Sequence, residues 1–215
     1  MHPRTWFLLC LRLALAYLFF SQLFWKLPPD FGCQRVNGHF VMTTAGADGR
    51  LMRGTGLCDW LGVEVEFAHR DRLFLSTDVD NNGTADLAVR LTPLVRWNGL
   101  FVERIVVPNL ELFGWLIWLT EAVIAVSLTF GLLSRLGAVL SLGLGVQLTL
   151  GLAGVSDPPT HLQEWEWSYL QLVLLSGVLV AQPAGRWCGI DAVLRRRLAH
   201  ARPGSALARV LAILT

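Results

Sequence analysis

Four apolar runs, each long enough to cross a lipid bilayer, constrain this chain more than anything else in it: Trp6–Leu27, Leu110–Gly131, Leu136–Ala153 and about Trp165–Gln182. A hydrocarbon core asks for about 20 helical residues per crossing, and it contains no water to satisfy an irregular backbone. The expectation is a mainly α membrane protein, a four-transmembrane-helix bundle. Composition agrees, since 16% of the 215 residues are charged, where a soluble domain carries roughly 25%. Ala14-Leu15-Ala16 resembles a signal-peptide cleavage site, but the apolar run continues to Leu27, so the first run is read as an uncleaved anchor.

Arginine bias sets the expected orientation. Arg4, Arg135, Arg186, Arg195, Arg196, Arg197, Arg202 and Arg209 collect on one side, while the loop Gly154 to Glu164 has no Lys or Arg. Both termini are therefore expected in the cytoplasm, with residues 28–109 outside, periplasmic in a bacterial inner membrane. The organisation reads as transmembrane helix one at 1–27, an inserted extracytoplasmic β domain at 28–109, transmembrane helices two to four at 110–182, and a cytoplasmic basic amphipathic tail at 183–215. The net charge of +2 says little about partners because the positive charge is concentrated in the tail.

The β reading of 28–109 rests on short runs between Gly, Asp and Asn: "HFVMTT" at His39, "GVEVEFA" at Gly62, "RLFLST" at Arg72, "ADLAVRL" at Ala85 and "LFVERIVV" at Leu100. Cys33 and Cys58 both fall in this segment, where an oxidising compartment permits a disulfide. Cys10 and Cys188 read as small apolar fillers. Asn109 is expected to N-cap helix two, with Glu111 favourable near its positive end. Thr160 and Gln163 form a capping-box pattern before helix four, and Asp191 suits the cap of a short helix in the tail.

Helix three carries Gly137, Ser141, Gly145 and Thr149 at four-residue spacing, a face that admits close helix packing in lipid. Gly143, Gln147 and Gly151 form a second stripe, whose lone amide suits an interhelical hydrogen bond or a ligand head. An ionisable side chain deep in lipid is a functional hypothesis by default. Glu121 is the clearest, about 15 Å along its helix from Glu111, with Trp118 on its face; it reads either as a structural carboxyl or as a proton-handling or quinone-head ligand. Arg12 reads as a snorkelling anchor or as a counter-charge at a different depth. Glu164, Glu166, Ser168, Tyr169, Gln171 and Lys26 outline a polar mouth on the external side. The five histidines are scattered and no Gly-rich phosphate loop, H-E-x-x-H or G-x-S-x-G occurs, so haem, iron–sulfur and nucleic-acid binding are not expected.

The pattern "LRLALAYLFFSQLFWKL" in helix one, "EAVIAVSLTFGLLSRLGAVL" across helices two and three, and "EWEWSYLQLVLL" followed by "AGRWCGIDAVLRRR" resembles the DoxX family, including its DoxD branch. DoxD is the membrane subunit of thiosulfate:quinone oxidoreductase. The most specific pieces are Arg12 with Lys26, Glu121 with Gly131 and Arg135, and Gly185 with Asp191. The resemblance implies a four-helix membrane bundle working beside other membrane redox subunits in a hetero-oligomer, with quinone as the small molecule. Arg12, Glu121, Gln147 and Arg135 are then the candidate catalytic positions, and Glu121, Trp118 and Gln147 the candidate quinone contacts. The long external insertion departs from a minimal member, which favours an accessory, docking subunit over a catalytic one of the thiosulfate:quinone type; a proton- or ion-coupled transporter is the weaker alternative.

The stretch "TDVDNNGTADLAV" adds a metal expectation. Asp78, Asp80, Asn82, the Thr84 carbonyl and Asp86 stand at calcium-loop spacing around Gly83, which permits the sharp turn. Position twelve is Val89, so this is no EF-hand, and the strand-like flanks are similar to calcium loops of FG-GAP-type repeats. An Asn-Gly turn with an acidic rim uses the same letters; the five spaced oxygen donors favour a structural calcium ion.

Overall fold

The computed structural model describes residues 3–46, 50–77, 87–152, 155–156, 166–182, 184–186 and 189–201. Helix α1 is Pro3–Gln22. Two hairpins follow, β1 (Arg35–Val36) with β2 (His39–Phe40) and β3 (Thr44–Ala45) with β4 (Leu51–Met52), then helix α2, Leu57–Ala68. Strands β5 (Arg72–Thr77) and β6 (Leu87–Arg90) precede helix α3, Thr92–Phe101. A π turn at Val102–Val106 and a 3-10 turn at Val107–Asn109 lead into α4, Leu110–Phe130. Helix α5 is Ser134–Leu152, β7 is Val155–Ser156, α6 is Glu166–Ala181 and α7 is Ile190–Ala201.

Among the described residues, three helices are long and apolar enough to cross a membrane: Thr5–Gln22, Thr92–Phe130 and Ser134–Leu152. The fourth apolar run forms α6, with a shorter apolar stretch at Ser168–Ala181. The pattern of burial is that of helices facing lipid. Tyr17, Phe20, Leu116, Leu119, Val126 and Leu174 point outward, while Arg12, Glu121, Ser127, Ser141 and Ser176 are buried.

The chain divides into two compact units. The first holds residues 1–25, 117–145 and 171–215. Its core is Leu11, Leu15 and Phe19 of α1, Ile124 and Leu128 of α4, Ala138 of α5, and Leu172 and Leu179 of α6. The small-residue ladder of α5 works at two neighbours. A side chain at Gly137 would collide with Ser127 of α4, and one at Gly145 would press on Leu172 and Val173 of α6. Between them Ser141 and Ser176 share a hydrogen bond of 2.7 Å. Small residues thus bring the helices close enough for hydroxyls to pair in the interior. Cys10 is exposed rather than a buried filler, because it lies on the outward side of α1; Cys188 falls outside the described residues.

The second unit holds residues 26–116 and 146–170. It is mixed α/β, not the β domain expected for the inserted segment. Among the described residues, β1 to β4, each two residues long, form two two-stranded sheets; a further sheet has the order β6-β5-β7, all antiparallel. The run "GVEVEFA" alternates like a strand yet lies in α2. Leu57, Leu61, Glu64 and Ala68 recur every three or four residues, and burying that face outweighs the local alternation. Likewise "LFVERIVV" is helical, with Val95, Asn98, Val102 and Val106 buried at helical spacing.

Helix two consequently starts at Thr92 rather than Asn109. Pro108, which has no N–H and crowds the preceding turn, is accommodated by the π and 3-10 turns around it. Asn109 does not N-cap; its Nδ2 donates back to the Ile105 carbonyl at 2.9 Å. Phe31 is fixed against Gly114, where any side chain would strike its ring, and stands edge-on to Trp115 at 6.0 Å. Arg35 bonds Asp30 at 2.8 Å and Glu111 at 3.2 Å.

Cys33 and Cys58 are joined as a disulfide, with 25 residues of sequence separation, which ties the start of α2 to the loop after α1. Closing a loop of that length removes roughly 3–4 kcal/mol of unfolded-chain entropy. Replacing both cysteines by serine is expected to lower the stability of the inserted segment by about that amount, measured by denaturant titration with the reduced wild type as the control; an unchanged midpoint would show the bridge to be dispensable.

Candidate functional site

In the second unit a carboxyl from the inserted segment meets the lone amide of the third apolar run. Glu64 of α2 is buried, 1% exposed. Its Oε2 accepts a hydrogen bond from Gln147 Nε2 of α5 at 2.8 Å and another from Asn98 Nδ2 of α3 at 3.1 Å. Gly151, one turn after Gln147, presents bare backbone to the carboxyl; a Cβ there would stand 2.6 Å from Glu64 Cδ and Oε2. Gly99 makes a similar allowance, because a side chain there would run into Ala68 of α2. Two glycines let α3 and α5 close on α2, and closure is what delivers the amides to Glu64.

Apolar and cationic groups wall the centre. Val63, Phe67, Val95, Leu152 and Tyr169 pack together, with Trp60, Leu91 and Leu148 against them. Trp60 and Tyr169 meet edge-on at 5.7 Å, and the buried Lys26 holds its Nζ 5.4 Å from the Trp60 ring centre. Arg72, 1% exposed, lies with its guanidinium carbon 4.1 Å over the Phe67 ring and donates from Nη2 to the Leu152 carbonyl at 3.2 Å.

Burial raises the Glu64 carboxyl to about 8, against the lowering effect of its hydrogen bonds from Asn98 and Gln147. Helix α2, with twelve residues, is too short to cross a bilayer. The sign follows from linkage. A carboxyl raised in the folded state gives its full stability below the unfolded value of about 4.5 and loses it as pH climbs toward about 8.

The first unit gathers the other charged positions. Arg12, 4% exposed, brings Nη1 against Gly131 and Gly189, where added side chains would collide with it. Asp191, fully buried, accepts from the backbone N–H of Leu133 at 2.7 Å, the N–H of Ser134 at 2.9 Å and the Ser134 hydroxyl at 2.7 Å. It therefore caps α5 from across the fold as well as opening its own helix, and puts a carboxylate where the α5 dipole is positive. Gly185 makes room for this contact, since a Cβ there would meet Ser134 and Asp191. Arg186 is pulled below its usual range by burial and by the guanidiniums of Arg195 and Arg135, against Asp191.

Of the sequence candidates, Gln147 enters the Glu64 centre and Arg12 enters the Asp191 junction. Glu121 is buried in the first unit, 6% exposed, ten positions before Gly131 and so about 15 Å along α4 from the level of the Arg12 contact. Trp118 donates from Nε1 to the Leu23 carbonyl at 3.3 Å, and Arg135 is half-buried. Of the expected polar mouth, Lys26 and Tyr169 both reach Trp60, whereas Ser168 and Gln171 are exposed; Glu164 and the Glu166 side chain lie outside the described residues. Also outside are Asp78, Asp80, Asn82, Thr84 and Asp86, and the Thr160–Gln163 cap. Among the described residues no three His, Cys, Asp or Glu come together as a metal set. Sequence reasoning missed Glu64, Asn98 and Arg72. A signal was present for Glu64: Gln147 required a partner, and Glu64 shares a helical face with Leu57, Leu61 and Ala68.

No protein-family model, no curated protein and no solved structure matches the chain.

Asp191→Ala would strand two backbone N–H groups and a hydroxyl in the interior. At about 1–3 kcal/mol for each buried group left unmatched, the expected loss is at least about 3 kcal/mol in denaturant unfolding, with a smaller loss for Asp191→Asn. Equal, small effects of both changes would remove the cap from the account of this junction.

Proposed function

We propose that the chain is a DoxX/DoxD-like integral membrane subunit of a quinone-linked electron-transfer assembly, in which it is an accessory subunit that docks its partners through the inserted segment. The observation that carries this reading is the convergence of the residues that carry the resemblance. Arg12, Gly131, Gly185 and Asp191 are far apart in sequence, yet they belong to one buried junction around the α4–α5 turn. In this reading four helices cross a bacterial inner membrane, both termini are cytoplasmic and residues 28–109 are periplasmic. Support for that orientation comes from the arginine bias and from the Cys33–Cys58 disulfide, which suits an oxidising compartment. Purification of the intact chain from native membranes in a mild detergent is expected to bring redox subunits with it and to retain bound quinone. Recovery of the chain alone, without quinone, overturns the reading.

We also propose a structural calcium ion held by Asp78, Asp80, Asn82, Thr84 and Asp86. The support is that β5 and β6 pair up to Thr77 and Leu87, so both ends of the acidic loop are tied together by a ladder. Calcium chelation is expected to lower the melting temperature by several degrees, with recovery on adding calcium; Asp78→Ala with Asp80→Ala should abolish that response. A melting temperature indifferent to calcium would leave an ordinary acidic turn.

A further inference from the structure

We propose that Glu64, with the side-chain amides of Asn98 and Gln147, is a proton-binding site at which the carboxyl takes up and releases one proton while the protein stays folded. This goes beyond the electron-transfer reading and depends on neither quinone nor partners.

The geometry provides for both protonation states. Both amides donate to the same oxygen, Oε2. In the neutral acid Oε2 is the carbonyl oxygen, with two lone pairs for two donors, and the proton sits on Oε1. After release the same donors remain in place and hold the negative charge. The step is COOH to COO⁻ with the proton passing to water, and it needs no co-reactant.

Surrounding groups leave this equilibrium to the proton itself. Asn98 faces Glu64 from α3, Gln147 and Gly151 from α5, and the Tyr169 phenol from α6 is close enough to feel its charge. Among the described residues its carboxylate meets two neutral amides and no cation. Among the described residues, the buried Arg72 lies over the Phe67 ring and donates to the Leu152 carbonyl, and the buried Lys26 stands beside the Trp60 ring. An anion buried without a counter-charge is costly, so the neutral form dominates at acid and neutral pH. Two amide donors reduce that cost enough to keep release within an accessible range.

The test is pH-difference infrared spectroscopy of the full chain in lipid nanodiscs, in H2O and D2O. A protonated-carboxyl band is expected to disappear as a one-proton titration with a midpoint near 8, and to be absent in Glu64→Gln. Gln147→Leu removes one donor to the anion and should raise the midpoint by about one unit, a tenfold tighter hold on the proton. A midpoint in the ordinary carboxylate range overturns the proposal, as does a band that survives Glu64→Gln. Should Glu64→Gln fail to fold, the Gln147→Leu titration decides, and an unmoved midpoint overturns it. None of these results bears on whether redox subunits copurify, so the two readings fail separately.

Discussion

Polar groups withdrawn from water have to be matched inside the fold, and the described interior of each unit is arranged around such a match. At the α4–α5 turn the carboxylate of Asp191 meets the N–H groups with which α5 begins. The Asp191 N–H in turn donates to the Gly131 carbonyl at 2.8 Å, so a turn and two helix starts depend on one residue. In the second unit the same requirement joins Glu64 to Gln147 and Asn98. Outward faces of the long helices need no such matching and are given over to apolar side chains.

The helices were legible because their signal is redundant. A run of some twenty apolar residues tolerates many substitutions before its meaning changes; Trp6–Leu27 and Leu136–Ala153 were read within a few residues of their helix ends, whereas the second helix begins well before Leu110, at Thr92. Close packing was legible for a related reason: Gly137, Ser141 and Gly145 announce by their smallness that something approaches. What approaches was not legible. Gln147 was visibly in need of a partner, but Glu64 lies 83 positions away, and nothing in one sequence links such positions.

Misreading of the inserted segment has a local cause. In "GVEVEFA" the alternation places Val63, Val65 and Phe67 on one side and Glu64 with Glu66 on the other, as a half-exposed strand would. In the helix the two glutamates part company. Glu64 turns inward, and Glu66 accepts the Ala45 N–H at 2.9 Å. Seven residues hold too few turns for period 2 and period 3.6 to be told apart, and only the flanking Leu57 and Leu61 tip the balance. Pro108-Asn109 misled in a similar way, because a proline that usually opens a helix sits here within one.

The π turn before that proline has a consequence of its own. An α-helix completes a turn in 3.6 residues, so positions four apart drift around its axis by about 40° at each step. Val102, Val106, Leu110 and Gly114 are nonetheless all buried, at intervals of four. The wider π turn takes up part of that drift, as a vernier slips one scale against another. The helix can therefore keep a single seam turned inward from the inserted segment into the apolar run, where an unbroken α-helix would have wound that seam out toward the surroundings.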